Sequence, residues 1–441
     1  AVCRFRCGAA CAGRAGQVGM QLDPAWVTQQ GEDTMLLHAV DVAFAAVPEG
    51  PIGVAVSGGG DSMALLHLFA RWSVQTGHPI AAVTVDHGLR AESRKEADGV
   101  AAYCAQEGIS HDILTWHGKQ ATGNLPAAAR DARYELMAQW ASSKGVGHIA
   151  LGHTVDDSAE NFLMRLGRSA GIDGLAEMQP RFERGGIMWA RPLWQQSRRA
   201  LRDYLRRHDV HWVEDPSNDD PQYLRTRARN AVPLLKDLGV TAQTIHASAF
   251  ALRQAQAALV HYTVQEARQH VTQEAGDLII LERLRPPIPA EIERRLVTAA
   301  LQWVGSNTYP PRGIWAGMLD NDLADQQRKT IAGCLIMKRK GQFRITREYN
   351  AVKDMVTPTD VLWDTRWRLE GPHAPDLEVR ALGEAVAQVP DWRETGLPRP
   401  TLTASPSVWR GDTLIAAPLA RYNTDWTAQI VADFTSFLVS H

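Results

Sequence analysis

Four short apolar runs alternate with segments of helical length between residues 51 and 169 of this 441-residue chain. They are PIGVAVS (51–57), IAAVTVD (80–86), HDILTW (111–116) and GHIALG (147–152). The stretches between them predict helices from a glycine loop to about Trp72, over roughly 92–107, near 126–143 and over about 155–169, with Gly77 and Gly108 as stops. Connections of that length are too long for hairpins. Each has to cross over, so successive strands lie parallel and helices cover both faces of the sheet. This part of the chain is read as an α/β domain with a parallel, doubly wound sheet. Ligands of such sheets bind beyond the carboxyl ends of the strands, and the polar clusters of this sequence fall at those ends.

The flanking regions differ in character. Residues 1–25 are rich in Ala, Gly and Arg, lack the apolar core of a secretory signal and read as a disordered leader. Cys3, Cys7 and Cys11 lie there without the CxxC pairs or neighbouring His of a metal site. Only Cys104 and Cys334 remain for the body of the chain, so no disulfide framework is expected and the reducing cytoplasm is the expected compartment. No apolar run approaches the ~20 residues of a spanning helix, so an integral membrane protein is excluded and no membrane partner is expected. Residues 26–235 are read as a catalytic domain, 236–350 as a helical domain ending in a β-hairpin, and 351–441 as a small β-containing region. The helical signals cover roughly 220–270 and 288–304, with a short strand at 277–282 and the hairpin at 329–340 and 342–348 around Gly341.

Net charge is 47 − 49 = −2, which gives no argument for nucleic-acid binding from the total. The distribution does. Between Arg181 and His208 eight arginines face only Glu183 and Asp203, a local charge of +6, and Arg225, Arg227, Arg229 and Lys236 extend the field.

Three motifs stand at strand ends. Ser57-Gly58-Gly59-Gly60-Asp61-Ser62 joins a buried strand to a helix, and its glycines let backbone approach an anion at the positive end of that helix. The spacing is not that of GxxxxGK[ST]. A carboxylate in a phosphate cradle needs a cation between them, so Asp61 implies Mg²⁺. Asp86-His87-Gly88-Leu89-Arg90 puts a carboxylate, an imidazole and a guanidinium after the second strand. After the fourth, His153-Thr154-Val155-Asp156-Asp157-Ser158-Ala159-Glu160 offers Thr154 as a helix cap and acids that suit the helix dipole. Capping does not explain Glu160, whose i,i+3 and i,i+4 spacing from Asp157 and Asp156 makes like-charge pairs. Such an acidic cluster suits an ammonium group or Mg²⁺, and one of its carboxylates could take a proton from an attacking amine. Asn124, Arg130 and Arg133 sit on or before the helix between strands three and four, within reach of a nucleotide phosphate at its loop end. Each motif alone could be a capped, solvated turn; three at consecutive strand ends are harder to dismiss.

Together these motifs resemble the N-type ATP pyrophosphatase (PP-loop) superfamily and, within it, the tRNA(Ile)-lysidine synthetase family. SGGGDS (57–62), VDHGLR (85–90), ARDARY (129–134), GHTVDDSAENFLMRLGRSAGIDGLAEM (152–178), RPLW (191–194) and WVEDPSNDDPQYLRTRAR (212–229) carry the likeness, which weakens through GCLIMKRKGQFRITRE (333–348). Asn161 stands where that family usually has Thr and Thr226 where it usually has Asn; neither change removes a charged group. The resemblance implies the adenine nucleotide alpha hydrolase-like fold and a ligase that forms a C–N bond. ATP adenylates the C2 oxygen of the wobble cytidine of a minor tRNA(Ile) with a CAU anticodon, and L-lysine then displaces AMP. It further implies Asp61, Asp86, His87, Asp157 and Glu160 as the catalytic set. Ser57 to Ser62 would hold ATP, Asp61 the Mg²⁺, and Asp157 with Glu160 the lysine. Arg198, Arg199, Arg202, Arg206, Arg225 and Arg229 would contact tRNA phosphate, and a homodimer is an open expectation. The alternative is a thiolase of the same superfamily that makes 2-thiocytidine, which would want a reactive Cys or a clustered metal site.

Overall fold

A computed structural model describes residues 29–47, 50–86, 88, 92–116, 125–176, 178–214, 220–281, 288–311, 313–314 and 327–440. The leader with Cys3, Cys7 and Cys11 lies outside them, as do His87, Arg90 and Asn124. The chain forms two compact units, residues 1–253 and 254–441.

In the first unit, α1 (Gln29–Phe44) precedes β1 (Ile52–Ala55), α2 (Gly60–Thr76), β2 (Ile80–Asp86), α3 (Glu92–Gln106), β3 (Ser110–Thr115), α4 (Leu125–Lys144), β4 (His148–Leu151) and α5 (Val155–Leu166). Then follow α6 (Ile172–Leu175), β5 (Arg181–Arg184), β6 (Ile187–Ala190), α7 (Arg198–Arg207), α8 (Leu224–Leu234) and the start of α9 (Ala242–His270). The six strands form one sheet in the order β3-β2-β1-β4-β6-β5. All neighbours are parallel except β5, which returns antiparallel along the edge of β6.

Both faces are covered, as the unbroken apolar strands require. Ile52, Val54 and Ala82 meet Leu65, Leu66 and Phe69 of α2 and Leu201 and Leu205 of α7 on one side. Val83, Ile149 and Trp189 meet Tyr134, Met137 and Trp140 of α4 on the other. Ile52 of β1 is in register with Ile80 of β2 and with His148 of β4. The chain winds from β1 outward to β3 and then returns to β4 on the opposite flank, so the crevice at the switch point opens between the carboxyl ends of β1 and β4.

In this unit α1, α6, α7, β5 and β6 were not foreseen. Leu36, Val40 and Phe44 recur at i,i+4 on α1 and bury against α2. Residues 181–190, counted above only as a charge field, form a hairpin through Gly185 and Gly186, both at positive φ (62° and 72°). The alternation hides there: Arg181 and Glu183 point outward while Phe182 packs beside the buried Trp189.

The second unit carries the antiparallel sheets. β7 (Val271–Glu274), β8 (Asp277–Leu281), β9 (Arg328–Ile331), β10 (Cys334–Arg339) and β11 (Gln342–Arg347) assemble in the order β7-β8-β11-β10-β9. Leu296, Val297, Ala300 and Leu301 of α10 (Ala290–Val304) pack with Leu278, Ile280, Ile336 and Phe343 of that sheet. The expected single strand over 329–340 is broken at Ala332 and Gly333, whose φ values of 53° and 74° turn the chain between β9 and β10. Beyond residue 350, short strands form a four-stranded and a two-stranded sheet around Trp363, Trp367, Val379, Val408 and Trp426. Among the described residues, no helix is long and apolar enough to cross a membrane.

Candidate active site

The crevice at the switch point is a cavity of about 530 Å³. Its floor is the turn out of β1. Gly58 takes φ 85°, a left-handed conformation that a side chain would strain, and Gly59 starts α2 with no side chain to cap it. The positive end of the helix therefore opens on the cavity. Ser62 braces the turn: its Oγ accepts from the Ser57 amide (3.1 Å) and donates to the Gly59 carbonyl (2.9 Å), with Ser57 Oγ at 3.1 Å. The end of β4 comes so close that a Cβ on Gly152 would lie 3.1 Å from the Asp61 carbonyl oxygen, so a side chain there would push the turn back by a few tenths of an ångström. Behind the turn, the Val213 amide donates to the Gly58 carbonyl (2.9 Å).

One wall of the cavity is built of acids and their arginines. Thr154 precedes α5, and Asp157 Oδ2 accepts both its amide (2.8 Å) and its hydroxyl (2.9 Å). Arg198, at the start of α7, donates to Asp61 Oδ2 (3.1 Å), Glu160 Oε1 (3.0 Å) and Asp157 Oδ1 (3.2 Å). From α8, Arg225 donates to Glu160 Oε2 (2.7 Å) and Asp157 Oδ1 (2.6 Å), and Arg229 to Glu160 Oε1 (2.8 Å). Asp156 holds the two helices together by accepting the Arg198 backbone amide (2.7 Å). Burial alone would push the Asp157 and Glu160 carboxyls upward, but the guanidiniums outweigh it and hold both below their usual range. At Asp61 burial wins over Arg198, and its carboxyl is raised. Its Oδ1 is buried with no hydrogen-bond partner, beside the helix end that suits phosphate. Such an oxygen fits a hard divalent cation held by one carboxylate and by ligand oxygens. Among the described residues no group of three or more His, Cys, Asp or Glu could hold a metal by itself.

The opposite wall is lined by Arg130 and Arg133; Arg184, which shares their aromatic ring, pairs with Asp131 at 3.0 Å. Arg130, Arg133 and Arg184 lie over the Tyr134 ring at 5.4, 5.7 and 4.7 Å, and Arg191 over Phe182 at 4.5 Å. Among the described residues no carboxylate pairs with Arg130, Arg133 or Arg191. Burial lowers the affinity of Arg133 and Arg191 for their protons, and Arg130 lowers it further. His153 lines the same cavity and is pushed down to about 3, chiefly by burial, with Arg191, Arg133 and Arg130 adding to it against Asp157.

The turn Ser57–Ser62, Asp61, Asp157 and Glu160 are thus brought together as expected from the sequence. Asp86 is set back: its Oδ1 accepts the Gly88 amide (2.8 Å) and the Ser93 hydroxyl (2.7 Å), and Ser93 rather than Asp86 lines the cavity. Arg198, Arg225 and Arg229 stand in the acidic wall. Arg202 lines the cavity and meets Glu214 at 3.4 Å. Arg199, 91% exposed, and Arg206 face outward on α7 beside Asp203. Sequence reasoning missed Thr84 and Glu96, which also line the cavity. Thr84, the polar residue inside the apolar run IAAVTVD, was the available signal; Glu96 gave none.

Comparison with known proteins decides the family. Residues 34–235 match the PP-loop domain model, a span that holds both walls. The chain is 44% identical to the tRNA(Ile)-lysidine synthase of Ruegeria pomeroyi over 410 residues, covering 92% of this chain and 98% of that protein. The chain belongs to the tRNA(Ile)-lysidine synthase family. A Bradyrhizobium member is 36% identical over 346 residues, covering 72% of this chain and 97% of its own. A solved tRNA thiolase from Methanococcus maripaludis is a weaker likeness: TM-score 0.44 and 15% identity over 52% of this chain and 80% of that one. As a lysidine synthase family member with a PP-loop domain, the chain uses ATP.

Proposed function

We propose that this chain ligates L-lysine to C2 of the wobble cytidine of CAU-anticodon tRNA(Ile). The observation that carries this reading is a single cavity lined both by an anion cradle, Ser57 and Gly59–Ser62 at the start of α2, and by Asp157, to which the buried Glu160 is joined through Arg198 and Arg225. In the first step the C2 oxygen attacks the α-phosphorus of ATP and pyrophosphate leaves. The backbone of the cradle binds the pyrophosphate moiety, and Arg130 and Arg133 supply positive charge from the other wall. Mg²⁺ at Asp61 would offset the charge of the departing pyrophosphate. In the second step the lysine ε-amine bonds to C2, the C2–O bond breaks and AMP departs. Asp157 and Glu160, both held ionised, bind the incoming ammonium and orient it, and a carboxylate of this wall accepts its proton. The exposed Arg199 and Arg206 on α7 contact tRNA phosphate.

Among the described residues the thiolase alternative finds little support; Cys3, Cys7 and Cys11 lie outside them. Cys104 and Cys334 are both buried, with their thiols pushed up to about 11 and about 12. The test uses purified protein, Mg-ATP, labelled lysine and an unmodified tRNA(Ile) transcript. RNase digestion and mass spectrometry are expected to place lysine on the wobble cytidine, with none on methionine tRNA and none with the Asp157→Ala variant. ATP consumption with sulfur rather than lysine accepted would overturn the reading.

A further inference from the structure

The acidic wall is already balanced. Asp61, Asp157 and Glu160 carry three negative charges, and Arg198, Arg225 and Arg229 three positive ones. Both oxygens of Asp157 already accept two donors each, and so does Glu160 Oε1. A lysine ammonium arriving there would be a fourth cation in a buried site with few acceptors left. One guanidinium therefore has to leave before the amine can be seated.

The geometry points to Arg225 as the one that leaves. Arg198 is 13% exposed, touches all three acids and has its backbone fixed by Asp156. Arg229 contacts Glu160 alone. Arg225 is 42% exposed and is the more exposed of the two guanidiniums that bridge Asp157 and Glu160, the two acids read as the lysine site. Its donors occupy the acceptors an ammonium would use. Once displaced, its charge has to be met by another anion. Arg227 on the same helix is exposed, and Arg199 and Arg206 of α7 face outward. This basic surface is where RNA phosphate would arrive. Arg225 thus holds the place of the lysine ammonium until RNA phosphate draws it away, so that lysine and tRNA favour each other's binding. By linkage the effect is reciprocal. The inference rests on the reading of Asp157 and Glu160 as the lysine site.

The test is equilibrium dialysis of labelled lysine against the full chain with α,β-methylene-ATP, with and without a tRNA(Ile) transcript. For the wild type the transcript is expected to tighten lysine binding about tenfold or more. Arg225→Gln is expected to bind lysine tightly without RNA, and the transcript then changes its affinity less than about threefold. Arg225→Lys keeps the charge but cannot bridge both acids; an intermediate RNA effect is expected, and this variant decides the matter if Arg225→Gln does not fold. Two results overturn the inference: wild-type lysine affinity indifferent to RNA, or weakened lysine binding by the variants in both states, which would make Arg225 part of the lysine site. Both leave lysine transfer by the wild type intact. Failure of the wild type to transfer lysine at all would instead overturn the function.

Discussion

The two walls of the cavity both carry arginines and behave oppositely. On the α5 side, Arg198, Arg225 and Arg229 meet Asp61, Asp157 and Glu160. On the α4 side, Arg130 and Arg133 lie over the Tyr134 ring and Arg191 over Phe182, and among the described residues none of the three meets an acid. The first wall is neutral by itself, so its charges hold α5, α7 and α8 in place and a cationic ligand enters only by exchange. The second wall carries charge with no acid partner, from exposed Arg130 through half-buried Arg133 to buried Arg191, and its buried part destabilises the protein until an anion comes. Arginine thus serves stability on one side and affinity on the other.

That contrast is broken most directly at Glu160. It is the most buried of the three acids and accepts from three guanidiniums. Glu160→Gln leaves those cations short of a partner. A loss of about 3 kcal/mol in urea unfolding is expected, together with a fall of about a thousandfold in lysine transfer measured by initial rates. A stable, active Glu160→Gln protein would show that the wall is not the balanced unit described.

The opposite substitution should have the opposite sign on stability. Arg133→Met removes a half-buried, acid-free cation and keeps its volume apolar. Stability is expected to hold or to rise by about 1 kcal/mol, while the KM for ATP rises about tenfold in a pyrophosphate-release assay. If Arg133→Met unfolds as readily as Glu160→Gln, the walls are alike and the comparison fails.

Much of this was legible in the sequence, and what was not has a common cause. β2 was placed to the residue, because an apolar run bounded by Pro79 and His87 leaves little choice of ends. The cradle and the acids were found because polar groups at the ends of buried strands have no packing role. The partners of the acids were not found. Arg198, Arg225 and Arg229 lie 38 to 69 residues from Glu160 in sequence. A charge count along the chain shows a basic field but not which face of each helix turns inward. The β5–β6 hairpin was lost in the same field, since Arg181 and Arg184 masked the alternation around Phe182.

His153 gives a pH test that lies between the two walls. Its folded value near 3 stands below the ordinary imidazole value of 6.5, so the unfolded chain binds its proton first. Stability from this group is whole above about 6.5 and is lost progressively as pH falls toward about 3. The depressed Asp157 and Glu160 carboxyls act in the same direction only below their usual range, and the raised Asp61 carboxyl acts in the opposite one. Urea midpoints from pH 7 to pH 5 should therefore fall for the wild type and fall less for His153→Gln. Parallel slopes would mean that His153 is protonated as easily in the fold as out of it.

The smallest effect is expected outside both walls. Arg199 is 91% exposed and its contact with Asp203 is long, 3.7 Å, so the ion pair contributes little to the fold. Arg199→Ala should leave urea stability within about 0.5 kcal/mol. If Arg199 meets a tRNA phosphate, the same change raises the Kd for tRNA(Ile) a few-fold and lowers the slope of log Kd against log salt by about one. Lysine and ATP affinities should not move, because neither wall has been touched. An unchanged salt slope would take α7's outer face out of the RNA contact and leave the arginines of this helix to the cavity alone.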